Sequence, residues 1–276
     1  MKLALVTHPS RELAADIGGR VAAAAARLGM TVTADPEDVD RVEGVVGRDP
    51  GPIEADVIVA AGGDGTVLEA VRRGLADGIP VLGVNAGHVG FLAEVEPHRI
   101  DDAMAALHSG SYEVSSRMTV EATLPDGSST VGLNDVVVEK SISQHVVRIA
   151  ISVGSERLVE YRTDAVIVAS PTGSTAYTFS AGGPLVDPEL EALVVTAVAP
   201  HNLFGRPLVF RPSVELELGV TGDRSARVNV DGRHVADLDP GMAVTVRQGP
   251  SPAHLVRLWP RAFTTAVTEK FGLDDA

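Results

Sequence analysis

The sequence predicts an α/β domain on a parallel sheet, followed by an all-β, sandwich-like domain. Up to about residue 110, short β-branched runs alternate with helical stretches, the pattern of parallel strands joined by crossovers. From about Tyr112 the helical period gives way to short β-rich segments punctuated by Gly and Pro, as in two packed sheets. A third observation is the junction where Val57-Ile58-Val59-Ala60 runs into Ala61-Gly62-Gly63-Asp64-Gly65-Thr66. Such a loop leaves the carboxyl end of a strand, where parallel sheets bind their ligands.

Element by element, residues 2–7, 30–33, 55–60 and 79–84 read as buried strands. Residues 11–28 form an Ala-rich helix ending at Gly29, 67–76 a second helix, and 97–108 a third, opened by Pro97 and closed near Gly110. Strands follow at 117–124, 131–139, 146–153, 157–161 and 165–169, then at 193–199, 207–210, 214–220, 226–230, 233–237, 243–247 and 254–258. The division is 1–110, 111–260 and a helical tail 261–276 that docks back.

Composition bounds the function. The chain has 276 residues, 45% hydrophobic but only 4% aromatic, and a formal charge of −14. That field disfavours nucleic acid and anionic membrane, so an anionic ligand needs a local positive pocket. Without cysteine there is no disulfide, thiolate zinc site or thiol catalysis, which suits a reducing compartment. The first eight residues are too soon interrupted for a signal peptide, and no apolar run reaches the ~20 residues of a membrane helix. The expectation is a soluble, cytoplasmic protein.

The chemistry sits in Gly-rich and polar runs. Gly62, Gly63 and Gly65 surround one carboxylate, Asp64, in a loop whose N–H groups suit phosphate. An ordinary strand-to-helix turn fits those five residues equally well. Further runs are Asn85-Ala86-Gly87-His88-Val89-Gly90-Phe91-Leu92, Asn134-Asp135, Ser170-Pro171-Thr172-Gly173-Ser174-Thr175-Ala176-Tyr177 and Ser180-Ala181-Gly182-Gly183-Pro184. No P-loop, His-Glu-x-x-His or Gly-x-Ser-x-Gly pattern is present.

Taken together, these runs resemble the NAD kinase family, whose members phosphorylate the adenosine-ribose 2′-hydroxyl of NAD to give NADP. The resemblance extends from about residue 55 to 271 and includes Pro200-His201-Asn202-Leu203-Phe204-Gly205-Arg206-Pro207, Asp231-Gly232 and Glu269-Lys270-Phe271. The Gly-Gly-Asp-Gly run is shared with diacylglycerol, sphingosine and 6-phosphofructo kinases. The implied fold is a Rossmann-like domain plus an all-β NAD-binding domain of the NAD kinase/diacylglycerol kinase type.

The resemblance also implies roles. Asp64 would be the general base, and Gly62, Gly63, Gly65 and Thr66 would cradle phosphates. Asp64, Gly65, Asn134, Asp135, His145, Arg162, Asp164, Thr175, Ala176, Tyr177 and Ser180 would contact NAD. His88 is a further candidate for ligand phosphates, whereas His8 and His201 read as ordinary strand-end or loop residues. ATP would donate the phosphoryl group, with Mg2+ or another divalent cation carried mainly by the nucleotide; its protein ligands stay unassigned. Assembly would be a homodimer or homotetramer. Glu69 departs from an arginine common in relatives, with Arg72 or Arg73 one turn on as substitute cations. Ala165 replaces a usual glycine, and Asp135 a commoner glutamate. The rival readings are a related lipid or nucleoside kinase and a catalytically silent NAD-binding regulator.

Overall fold

The computed structural model describes residues 1–49, 51–87, 90–259 and 262–273. The chain forms two compact units, one of Met1–Ser116 with Ala253–Ala276 and one of Arg117–Pro252.

The first unit contains β1 (Lys2–Thr7), α1 (Glu12–Arg27), β2 (Thr31–Ala34), α2 (Pro36–Val39), β3 (Val46–Gly47), β4 (Val57–Gly62), α3 (Asp64–Gly74), β5 (Val81–Asn85), α4 (Ile100–Ser109) and β6 (Glu113–Arg117). Among the described residues its sheet runs β3-β2-β1-β4-β5, then the strand Ala253–Arg257, then β6. The pairs from β3 through β5 are parallel, as the alternation of strands and helices predicts. β4 and β5 are buried along their length, so their runs are continuously apolar rather than alternating. Ile17, Val21 and Ala25 of α1 and Ala103, Met104 and Leu107 of α4 share one core with Leu3, Val57 and Leu82. The chain reverses direction across the sheet at β1, which has β2 on one side and β4 on the other. The loop that leaves β4 therefore opens at a switch point, the expected place for a ligand.

Three features differ from the sequence reading. The strand Ala253–Arg257, expected in the all-β domain, pairs in parallel with β5 at Leu255 and Val81. Periodicity gives a strand's existence but not its partner. Helix α3 begins at Asp64 rather than at residue 67. Asp64 thus stands in a first helical turn, where a carboxylate is favoured by the unpaired N–H groups. The short α2 and β3 carry too few residues to show a period. The tail helix Phe263–Phe271 belongs to this unit, with the Phe271 ring 6.1 Å from that of Phe91.

The second unit contains β7 (Val120–Thr123), β8 (Ser129–Gly132), β9 (Asp135–Lys140), β10 (Val147–Val153), β11 (Glu156–Thr163), β12 (Ala165–Ala169), α5 (Tyr177–Ser180), β13 (Leu193–Val198), β14 (Leu208–Phe210), β15 (Leu216–Val220), β16 (Ala226–Val230), β17 (Arg233–Leu238) and β18 (Ala243–Gln248). They form two antiparallel sheets, β11-β10-β15-β18-β7-β8 and β14-β13-β12-β9-β16-β17. Val120, Ile149, Leu218 and Val246 of the first meet Val136, Val166, Val168 and Val228 of the second in a common core. β9 and β12 are buried on their other face too, where Val137, Ile167 and Ala169 pack with Ala181 and Val186. The chain after β12 thus covers the second sheet.

Ile167 is fully buried beneath that cover. Ile167→Ala should lower stability by about 3 kcal/mol through lost transfer energy and the cavity left behind. Urea unfolding measures it, and a loss below about 1 kcal/mol would mean that the cover collapses onto the gap.

Candidate functional site

In the first unit the site is built on the turn between β4 and α3. Gly62 ends the strand, and a Cβ there would lie 2.1 Å from Thr66 Oγ1, so Thr66 folds back over a residue with no side chain. Gly63 caps α3 in an extended conformation without a capping side chain. Space is open where Cβ atoms would stand at Gly63 and Gly65. Main-chain N–H groups at this helix start are thus left uncovered by side chains, the requirement for close approach of a phosphate.

The Asp64 carboxylate is held firmly. Oδ1 accepts the N–H groups of Leu92 (3.0 Å) and Ala93 (3.3 Å), and Oδ2 accepts that of Phe91 (3.0 Å). A Cβ on Gly90 would come within 2.0 Å of Oδ1. Only glycine lets that loop reach the carboxylate. Three consecutive donors fix the side chain's torsions, and of the roughly four acceptor positions of a carboxylate one, on Oδ2, is unused among the described residues. His88 lies outside the described residues.

The arginines after the loop are already engaged. Glu69 receives Arg72 Nε at 2.8 Å and Arg73 Nε at 2.7 Å, and Arg73 also pairs with Asp35. Hydrogen bonding from Arg72 is the largest influence holding the Glu69 carboxyl down at about 2. Arg72 and Arg73, the expected substitutes for the missing cation, thus both lean on Glu69, whose single charge offsets one of their two.

In the second unit the site is built around Asn134. Ser170 N–H donates to its carbonyl (2.8 Å), and Ser170 Oγ donates to the Leu133 carbonyl (2.6 Å). A Cβ on Gly173 would lie 2.0 Å from the Asn134 oxygen, which explains why the Pro-Thr-Gly-Ser run needs its glycine. From the other side Asp231 accepts the N–H groups of Leu133, Asn134 and Asp135. Asp135 is only 4% exposed. Burial first, then the charge of Asp231, pushes its carboxyl up to about 7.

Tyr177 in α5 is 40% exposed. Burial raises its phenol, and the charges of Glu139, Asp164 and Asp135 raise it further. Asp164 pairs with Lys140 at 2.7 Å. Asn134, Asp135, Asp164 and Tyr177 thus share one region, with Thr175 and Ala176 half-buried and Ser180 exposed on the segment that carries Tyr177. Arg162 is an exposed residue of β11, and His145 is exposed in the turn before β10. Among the described residues no hydrogen bond or ion pair joins either side chain to that group. Nor does any cluster of three or more His, Asp or Glu among the described residues form a metal cage.

Known proteins show the same two-part arrangement. Sequence models for the ATP-NAD kinase N-terminal domain and the ATP-NAD kinase C-terminal domain match residues 23–112 and 133–258. The NAD kinase of Rhodococcus erythropolis is 35% identical, over 99% of this chain and 94% of that protein. The chain belongs to the ATP-NAD kinase family. The NAD kinase of Heliobacterium modesticaldum is 43% identical over 79% of this chain and 78% of that protein. Among solved structures, an Archaeoglobus fulgidus NAD kinase in complex with ATP aligns over 99% of this chain and 98% of its own, with a TM-score of 0.75 and 27% identity. Yeast NADH kinase in complex with NADH shares the fold over 100% of this chain and 89% of its own, with a TM-score of 0.89 and 23% identity.

Two residues beside this ATP-NAD kinase family site escaped the sequence reading. Both stand in the sequence only inside longer runs, Ser170 to Tyr177 and Asp231-Gly232, with no role of their own. Asp231 lies 98 positions from Leu133, the first N–H it receives, and no local spacing reveals such a pair. The buried acid has a measurable signature. Folded Asp135 keeps its proton up to about 7 rather than 3.8, so the native state binds more protons across that window and stability falls as pH rises through it. Asp135→Asn removes the titration. From about pH 4 to about pH 8, urea midpoints should show wild type losing ground against this variant, by a few kcal/mol at about 1.4 kcal/mol per unit. A flat difference would contradict the buried acid.

Proposed function

We propose that this protein transfers the γ-phosphoryl group of ATP to the 2′-hydroxyl of the adenosine ribose of NAD, forming NADP and ADP. The observation that carries the reading is Asp64, a carboxylate fixed by three main-chain donors with one acceptor position left on Oδ2. It sits in an open glycine-rich helix start. The ribose hydroxyl donates to that position and is aimed at the γ-phosphorus. A bond forms from the 2′-oxygen to phosphorus, the bond to the ADP oxygen breaks, and the hydroxyl proton passes to Asp64. Phosphoryl transfer proceeds through a loose transition state, so orientation matters more than base strength.

Gly62, Gly63, Gly65 and Thr66 cradle phosphate, with open space at Gly63 and Gly65 for its approach to the helix start. Asn134, Asp135, Asp164, Thr175, Ala176, Tyr177 and Ser180 hold the dinucleotide, with Arg162 and His145 as outlying contacts to its phosphates. A carboxyl that stays protonated to about 7 serves as donor as well as acceptor to a nucleotide's hydroxyls and base edge. ATP as donor is supported by the ATP complex of the archaeal relative. Magnesium on the ATP phosphates fits a chain whose described residues offer no cage of their own. Such a cation would need one or two protein carboxylates at most and would neutralise phosphate charge.

No helix of the described residues is long and apolar enough to cross a membrane, and the chain lacks cysteine. These support a cytoplasmic protein, and family resemblance supports a homodimer or homotetramer.

The test is NADP formation from ATP, magnesium and NAD, read by a coupled NADP-specific dehydrogenase. Asp64→Asn should cut turnover by about 10²–10⁴-fold while NAD still binds. Gly90→Ala should show a comparable loss, because its methyl group displaces the same carboxylate. Undiminished turnover in Asp64→Asn would overturn the assignment. Binding without turnover in the wild type would favour a regulator, and turnover of another acceptor alone a related kinase.

A further inference from the structure

We propose that Asp231 is a positioning residue of the dinucleotide site: by accepting the main-chain N–H groups of Leu133, Asn134 and Asp135, it fixes the direction in which the Asn134 and Asp135 side chains meet NAD. The inference rests on the reading of those two side chains as NAD contacts.

The geometry is unusually complete for a turn residue. Asp231 Oδ2 accepts Leu133 N–H at 2.7 Å, and Oδ1 accepts those of Asn134 at 2.7 Å and Asp135 at 3.1 Å. Asp231 N–H returns a bond to the Asp135 carbonyl at 3.0 Å. A Cβ on Gly132 would lie 2.8 Å from Oδ1, so the neighbouring chain carries no side chain where the carboxylate enters. The Asn134 carbonyl is held from its other side by Ser170 N–H. The peptide that carries Asn134 cannot rotate without breaking bonds on both sides.

The turn itself does not need this carboxylate. Asp231 and Gly232 join β16 to β17 with φ values of +48° and +74°, the two-residue hairpin turn in which Asn-Gly and Gly-Gly serve as well as Asp-Gly. A residue kept only for the hairpin would have no reason to collect three N–H groups from a strand start nearly a hundred positions away.

Charge couples the two acids as well. Burial and the Asp231 charge both raise the Asp135 carboxyl. Tyr177 on α5 feels the charge of Asp135 together with those of Glu139, Asp164 and Lys140, and Lys140 pairs with Asp164. Removing the Asp231 charge leaves burial alone to raise Asp135, so its titration moves down.

The experiment compares wild type with Asp231→Asn and Asp231→Gly, both of which suit the hairpin, Asn by turn preference and Gly by relieving the positive φ. KM and kcat for NAD are measured from about pH 6 to about pH 9, with calorimetric NAD affinity and thermal melts. Both variants should raise the KM for NAD about tenfold with kcat nearly kept, the pattern of lost uniform binding. The pH midpoint of KM should lie lower than in wild type. Variants that melt earlier but share the wild-type NAD affinity and midpoint would overturn the proposal. Weakened calorimetric affinity upholds it whichever acceptor is turned over. Failure of the kinase reading shows separately, as tight NAD binding by wild type without NADP.

Discussion

Main-chain N–H groups at the start of a strand or in a glycine-rich loop have no ladder partner, yet near a binding site they must be held in one direction. In each unit a single aspartate meets that constraint. Asp64 gathers the N–H groups of Phe91, Leu92 and Ala93, and Asp231 those of Leu133, Asn134 and Asp135. Each carboxylate enters beside a glycine, Gly90 or Gly132, whose missing Cβ leaves the necessary room. An ionised acceptor binds N–H groups about twice as strongly as a neutral one. These two gatherings orient the backbone of both functional regions.

The two aspartates differ in what surrounds them. Asp64 stands at a helix start with open ground at Gly63 and Gly65. Asp231 is sunk in a hairpin, and its own carboxyl is raised by burial while the three backbone donors oppose that rise. One carboxylate is fixed beside open space, the other is enclosed under a hairpin.

Much of the fold was legible because its periods are clean. Ala165-Val166-Ile167-Val168-Ala169 is apolar without alternation because both faces of its sheet are covered. The helix 12–27 buries Ala14, Ile17, Val21 and Ala25 in the core it shares with the sheet. What escaped was pairing at long range. The strand Ala253–Arg257 reads like any β segment, and only the completed sheet shows that it lies beside β5. The pairing of Glu69 with Arg72 and Arg73, by contrast, is local and follows from i,i+3 and i,i+4 spacing once a helix is assigned.

The sequence by itself determined the order of strands and helices, the glycine positions that leave space for phosphate, and the family to which the ordered motifs point. Local sterics and hydrophobic period are written in neighbouring residues, so they can be read there. Tertiary structure alone decided which backbone groups meet the Asp64 and Asp231 carboxylates and how far burial moves the Asp135 proton. Those depend on atoms that folding brings together from distant parts of the chain, and no local pattern encodes their distance.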